Sequence, residues 1–281
     1  RDVGSPRRDD RALGLRVRDE WRGRRDRPYV RAAGTWVARS GVLPPEVAVE
    51  VDDGDALVAA VARQIDEGAD LVKLYLDGPD RDVAPWSEHE VARATAVAAE
   101  RGVFVTAHST GLAGARVGVA GGVACIEHGS HLDADLANDM ARRGTFVVPT
   151  LGVLASWDTF ASTTTLDRFA GAEGRSALAA RREVANESVA LARAAGVRIA
   201  AGTDFGGGSL RANHMAWEVT CLVAAGLEPW EALAAATWVG GDLLGEPDAG
   251  RLRVGGPADF FLVHGNPLDD PAALWRVWRV S

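Results

Sequence analysis

The stretch DLVKLYL, residues 70–76, is an apolar run of strand length that carries a single cation, Lys73. Helical patterns stand on both sides of it. Residues 55–67 (DALVAAVARQIDE) read as a helix capped by Asp53 or Asp55 and stopped at Gly68. Residues 87–101 read as another, with Ser87 and Glu90 forming a capping box and Gly102 ending it. Further along, strand patterns at 103–107 (VFVTA), 123–127 (VACIE), 145–149 (TFVVP) and 197–202 (VRIAAG) alternate with helices near 111–120, 133–143, 176–195, 212–226 and 229–240. The strands are apolar on both sides of the pleat, which implies a parallel sheet covered by helices. With strands expected at 1–3 and 29–37 the chain has seven βα-type strands. The expected fold is therefore α/β, a (β/α)8 TIM-type barrel lacking its first strand. A doubly wound open sheet competes, but such a sheet usually carries a glycine-rich phosphate turn after its first strand, and no such turn occurs in this sequence.

Composition narrows the function. The chain has 281 residues, 47% hydrophobic and 25% charged, enough for a large core and too apolar for disorder. Its 31 Lys+Arg against 39 Asp+Glu give a net charge of −8, which argues against nucleic acid as a partner and for a small-molecule substrate. No uncharged apolar stretch of about 18 residues exists, so no membrane span is expected. Cys125 and Cys221 lie in apolar contexts and read as buried thiols of a reducing, cytoplasmic compartment. Self-association into a homo-oligomer is left open. Of the 31 basic residues only Lys73 is a lysine, and it stands where a solvated cation does not belong.

Residues 1–248 are expected to form the barrel, strands 2–8. Residues 249–281 change character: a Gly-Gly-Pro turn, an apolar strand (ADFFLVHG) and a second strand-like stretch (WRVWRV) read as the C-terminal part of a small β-domain. Two short strands cannot stand alone. Segment 150–175 is long and irregular as a connection, and after a strand end it reads as an active-site lid.

In a barrel the chemistry lies at the C-terminal ends of the strands. Four polar residues answer that description. Lys73 lies in strand 70–76, His108 follows 103–107, His128 follows 123–127, and Asp204 follows 197–202. Imidazole and carboxylate are ligands for zinc and similar divalent ions. An ammonium is not a ligand, but burial favours the neutral amine, which can add CO2 and become a carbamate able to bridge two metals. A bridged pair of ions deprotonates water and makes a nucleophile at neutral pH. Each residue taken alone has a plainer reading: a hydrogen-bonded core histidine, a helix cap for Asp204, a salt-bridge partner for Lys73.

LVKLY, VTAHSTG, GVACIEHG and AGTDFG, in this order, resemble the amidohydrolase superfamily, and more narrowly its branch of imidazolonepropionase-like hydrolases and metal-dependent prolidases. GLEPWEALAAAT (226–237), GRLRVGGPADF (250–260) and GNPL (265–268) resemble that family's closing segment, so the likeness runs the length of the chain. The resemblance implies a hydrolase of C–N bonds, in an amide, a dipeptide or a cyclic amide, acting through a metal-activated hydroxide. It implies two divalent ions, zinc first, with iron or manganese as alternatives. Lys73 would be the carbamylated bridging ligand, and His108 and His128 would hold the second ion. Asp204 would bind the first ion and shuttle a proton, and Tyr75 and His214 would touch substrate.

The departures from the family are specific. Its first strand ends in His-x-His, which this sequence does not contain, and Arg-Asp-Val-Gly at the start resembles its second strand. The simplest account is that the first strand precedes Arg1, in which case this polypeptide by itself is expected to be inactive or weak. Thr110 stands where many relatives place another histidine, and Ala124 where many have aspartate. Among the remaining residues, His89 and His264 read as solvated, His131 as structural, and Glu127 as a buried hydrogen-bond partner. Trp36, Trp157 and Trp230 read as packing residues, with Trp157 able to line a pocket. Arg7, Arg8, Arg11, Arg16, Arg18, Arg22, Arg24 and Arg25 read as a solvated helical face. Two rival functions remain: a Schiff-base lyase built on Lys73, and a non-catalytic barrel protein.

Overall fold

The computed structural model describes residues 13–24, 26–206, 209–211 and 213–281. The strand expected at 1–3, with Arg7, Arg8, Arg11 and Arg25, lies outside them. The chain divides into two compact units, residues 1–129 with 142–145, and residues 130–141 with 146–281.

The first unit contains α1 (Leu13–Trp21), β1 (Trp36–Arg39), β2 (Ala48–Val51), α2 (Gly54–Asp66), β3 (Val72–Tyr75), α3 (Glu88–Glu100), β4 (Val105–Ser109), α4 (Leu112–Ala120) and β5 (Cys125–His128). Its strands pair in parallel in the order β2-β1-β3-β4-β5. The helices form where local chemistry starts and stops them. Asp53 caps α2 by accepting from Ala56 N at 2.8 Å, and Leu57, Ala60, Val61 and Gln64 recur along the buried face. The Ser87–Glu90 capping box opens α3, and Gly102, at φ 69°, follows its end. Helix α4 lies so close to the sheet that a Cβ on Gly114 would collide with the Leu76 carbonyl and the Ser109 hydroxyl.

Two expectations fail here. The strand placed at 29–37 is instead β1 at Trp36–Arg39, preceded by extended chain whose Ala32 N–H is taken by the Asp70 side chain at 2.9 Å. Strand β2, preceded by Pro44 and Pro45 and bearing Glu50, had no apolar run to announce it. The second failure is Arg18, which is 7% exposed and no part of a solvated face. Its guanidinium donates to the Gly68 carbonyl at 2.5 Å and to Asp70 at 2.9 Å. One arginine thus ties α1 to the turn before β3, satisfying a buried carbonyl as well as a carboxylate.

The second unit contains α5 (Ala134–Arg143), β6 (Phe146–Val148), α6 (Leu151–Ala161), α7 (Asp167–Ala170), α8 (Ala172–Ala195), α9 (Met215–Ala224), α10 (Pro229–Ala235), α11 (Trp238–Leu243), β7 (Phe261–Val263) and β8 (Val277–Val280). Residues 197–202 do not form a full strand. They contribute one parallel bridge, Val147 to Ile199. Segment 150–175 is not the irregular connection expected but forms α6, α7 and the start of α8. Helix α6 is buried around much of its circumference, at Leu151, Gly152, Val153, Ala155 and Ser156, and a helix apolar on most sides shows no period to read. Trp157 packs against Phe169, with centroids 6.4 Å apart, while Trp230 is exposed.

Strands β7 and β8 pair antiparallel, as expected of the tail. Phe261, Leu262, Val277, Trp278 and Val280 are all exposed on this two-stranded ribbon. No helix among the described residues is long and apolar enough to cross a membrane.

Candidate active site

Strand register gathers the chemistry of the first unit onto one face. Lys73 pairs with Thr106 and Tyr75 with His108, and His108 in turn pairs with Glu127. Side chains alternate along a strand, so Lys73, Tyr75, Thr106, His108 and Glu127 share a side. His128 ends β5 with a left-handed backbone, φ 70°. Its ring meets the His108 ring edge to face, with centroids 4.5 Å apart. The Tyr75 ring stacks on the other side of His108 at 4.1 Å.

Lys73 is 6% exposed. Its Nζ donates to Glu127 and lies 4.5 Å from the centre of the Trp36 ring, a cation–π contact. Glu127 also accepts from the Thr106 hydroxyl at 2.6 Å, so it is the buried hydrogen-bond partner its apolar setting implied. Burial opposes its ionisation, but the Lys73 charge and the two hydrogen bonds hold its carboxyl below the usual range.

His128 is the opposite case. Burial, with the His108 ring beside it, pushes its imidazole down to about 3, so it is neutral at ordinary pH and keeps a lone pair. Burial raises the Tyr75 phenol, which stays protonated.

Sequence reading missed Asp77. It lies two residues beyond Tyr75 and is 6% exposed. It accepts from Thr110 N at 2.9 Å, Thr110 Oγ1 at 2.6 Å and Gly111 N at 3.2 Å, and the Ser109 hydroxyl is 3.0 Å away. His108 Nε2 stands 3.3 Å from its Oδ2. Burial works against the charge, yet the hydrogen bonds from His108 and Thr110 prevail and hold the carboxyl well below the usual carboxylate range. The i, i+2 alternation of 73, 75 and 77 was the available signal.

The second unit holds the other expected residues. Asp204 is exposed, with φ 47°. His214 precedes α9, where its Nδ1 accepts from Arg211 N at 3.3 Å and its ring lies against Trp217 and Trp275. Among the described residues the non-glycine residues at positive φ are His128, Thr150 and Asp204, the first ending β5, the second following β6 and the third following the bridged segment. Such backbone strain persists where surrounding structure enforces it, and it collects at functional sites. Just after Thr150 the backbone is held by Glu218 on α9, another residue missed from sequence. Its carboxyl, fully buried, accepts from Leu151 N at 3.1 Å and Gly152 N at 2.5 Å. Burial pushes it up to about 8 against those two bonds, with Asp204 adding to the shift. A carboxyl in the apolar run MAWEVTCLVA was the clue.

Among the described residues no set of three or more His, Cys, Asp and Glu is clustered to hold a metal. The donors in the first unit are nonetheless of the right kind for one divalent ion. His128 is neutral, and if His108 gives its Nε2 proton to Asp77, its Nδ1 is the basic nitrogen. Lys73 as it stands is a hydrogen-bond donor to Glu127 and not a ligand.

Polar residues gathered at the ends of parallel strands are the arrangement in which α/β barrel enzymes carry their sites. Residues 31–280 match the amidohydrolase family, and the chain belongs to it. An uncharacterized protein of Mycobacterium tuberculosis is 34% identical over 287 residues, covering 98% of this chain and 70% of that protein. The crystal structure of a Xaa-Pro dipeptidase with methionine bound in its active site matches with a TM-score of 0.79 at 26% identity, over 96% of this chain and 70% of that one. Aspergillus niger ochratoxinase matches with a TM-score of 0.76 at 25% identity, over 90% of this chain and 65% of that one. With the family match and these structural likenesses, the α/β barrel class expected from the sequence stands. Family and neighbours together support a hydrolase of C–N bonds.

Proposed function

We propose that the chain is the barrel of a metal-dependent hydrolase that cleaves the C–N bond of an amide or dipeptide. The carrying observation is the pair His108 and His128, edge to face at a strand end, one of them held neutral by burial. These two imidazoles would hold a divalent ion, with zinc favoured by the nitrogen donors and iron or manganese as alternatives. A carbamate on Lys73 would complete the ligand set and allow a second ion, and Asp204 would contribute a carboxylate. A bound ion would supply Lewis acidity to the scissile carbonyl and to water.

The chain's own residues would do the rest. Tyr75, protonated and stacked on His108, would donate to a substrate oxygen. Asp204 would carry a proton to the departing nitrogen. His214 would touch substrate from the start of α9. The substrate would be a small molecule and not nucleic acid, in keeping with the net charge of −8. Neither cysteine forms a disulfide, in keeping with a reducing, cytoplasmic location. Residues 249–281 would belong to a small β-domain apart from the barrel.

The Schiff-base alternative requires a free amine open to a carbonyl, and Lys73 Nζ is enclosed between Glu127 and Trp36. The test is a panel of dipeptides and N-acyl amino acids, assayed on the longest form the gene encodes, with zinc and with chelator. Zinc-dependent release of free amine is expected. Turnover indifferent to chelation, or borohydride trapping of a carbonyl substrate on Lys73, would overturn the proposal.

A further inference from the structure

The side chain of Asp77 ends in the middle of the loop that leaves β4. Its Oδ2 faces His108 Nε2 at 3.3 Å, Thr110 N at 2.9 Å and Thr110 Oγ1 at 2.6 Å. Its Oδ1 faces Gly111 N at 3.2 Å and Ser109 Oγ at 3.0 Å. A carboxylate only accepts, so a ring nitrogen held against it must present a proton. For a neutral His108 that leaves one tautomer, with the proton on Nε2 and the lone pair on Nδ1. Histidine ligands are commonly fixed in this way, by a carboxylate on the nitrogen that does not bind the metal.

Resting on the metal-site reading above, we infer that Asp77 is a positioning residue which sets the tautomer of His108 and so selects Nδ1 as its metal-binding atom. The same carboxylate accepts from both the amide and the hydroxyl of Thr110. Thr110 is therefore bound to the scaffold, and its hydroxyl proton is directed at Asp77. One carboxylate orients the imidazole and holds its second neighbour.

The test is long-range 1H–15N correlation of the histidine rings in the metal-free chain, followed by zinc titration. The wild-type chain is expected to show His108 as the Nε2–H tautomer. Asp77→Asn is nearly isosteric and is expected to populate the Nδ1–H form and to bind zinc about 10- to 100-fold more weakly. Ser109→Ala removes a different neighbour of the same carboxylate and is expected to leave both readouts at wild type. His108 found as Nδ1–H in the wild-type chain, or Asp77→Asn retaining the wild-type tautomer, would overturn the inference. The tautomer is read without metal, so a chain that fails to take up zinc would count against the metal-site reading alone.

Discussion

Lys73→Met should destabilise the chain by about 3–5 kcal/mol, because it leaves the Glu127 carboxylate buried without its cation. The pair is enclosed, with side-chain exposures of 7% and 15%, so water cannot replace the lost partner. Adding Glu127→Gln should return most of that stability, since the remaining groups are neutral and Thr106 can still donate to the amide oxygen. The double variant then separates structure from chemistry. It should unfold near the wild-type denaturant midpoint, yet it should have no site for a carbamate. In the wild-type chain with zinc and 13C-bicarbonate, a carbamate carbon resonance is expected, and it should be absent from the double variant. Forming that carbamate from an ammonium releases two protons to solvent. An arginine could hold the ion pair but could not take up CO2, since it stays protonated. That gives a reason for one lysine among 31 basic residues.

Glu218→Ala is the second large effect. Two backbone N–H groups at the start of α6, of Leu151 and Gly152, would lose the carboxyl that accepts from them. At about 1–3 kcal/mol for each orphaned donor the loss should reach about 2–6 kcal/mol. Glu218→Gln should cost less, because one amide oxygen can still accept. The pH dependence distinguishes the two states of the acid. The folded chain keeps the Glu218 proton up to about pH 8, whereas an unfolded carboxyl releases it near 4.5. Folding therefore takes up a proton between those values, and stability should fall as pH rises through that window. Chemical denaturation of wild type and Glu218→Gln at pH 5 and pH 8 reads this directly. The wild type should lose on the order of 3 kcal/mol more than the variant across the interval. Equal losses would mean that Glu218 is ionised in the fold.

How much of this was legible in the sequence depended on whether a residue's role left a local pattern. Helices α2 and α3 declared themselves through Asp53 and the Ser87–Glu90 box, which act within a single turn. Strands β3, β4 and β5 did so through apolar runs bounded by glycine. Strand β2 and helix α6 did not. The first is short and carries acids, and the second is buried on too many sides to show a period. The same division holds at the site. Lys73, His108 and His128 could be placed from strand ends and motif. Asp77 acts on the adjacent strand's loop, over 33 residues from Thr110, and Glu218 acts over 67 residues from Leu151. No window along the chain contains both partners of either contact. Arg18 was misread for the same reason, its partner Asp70 being 52 residues away.

The ribbon of β7 and β8 follows the opposite logic, since its apolar alternation was easy to read while its exposed Phe261, Trp278 and Val280 find no cover among the described residues. Two strands alone are marginal in water.

The central claim is that His108 and His128 together bind a divalent metal ion. Calorimetric titration of the 281-residue chain with zinc, alongside His108→Ala and His128→Ala, tests it most directly. The account predicts that the wild-type chain takes up zinc and that each single substitution weakens the binding at least about tenfold. A chain that binds no zinc, or binds it equally well without either imidazole, would contradict it.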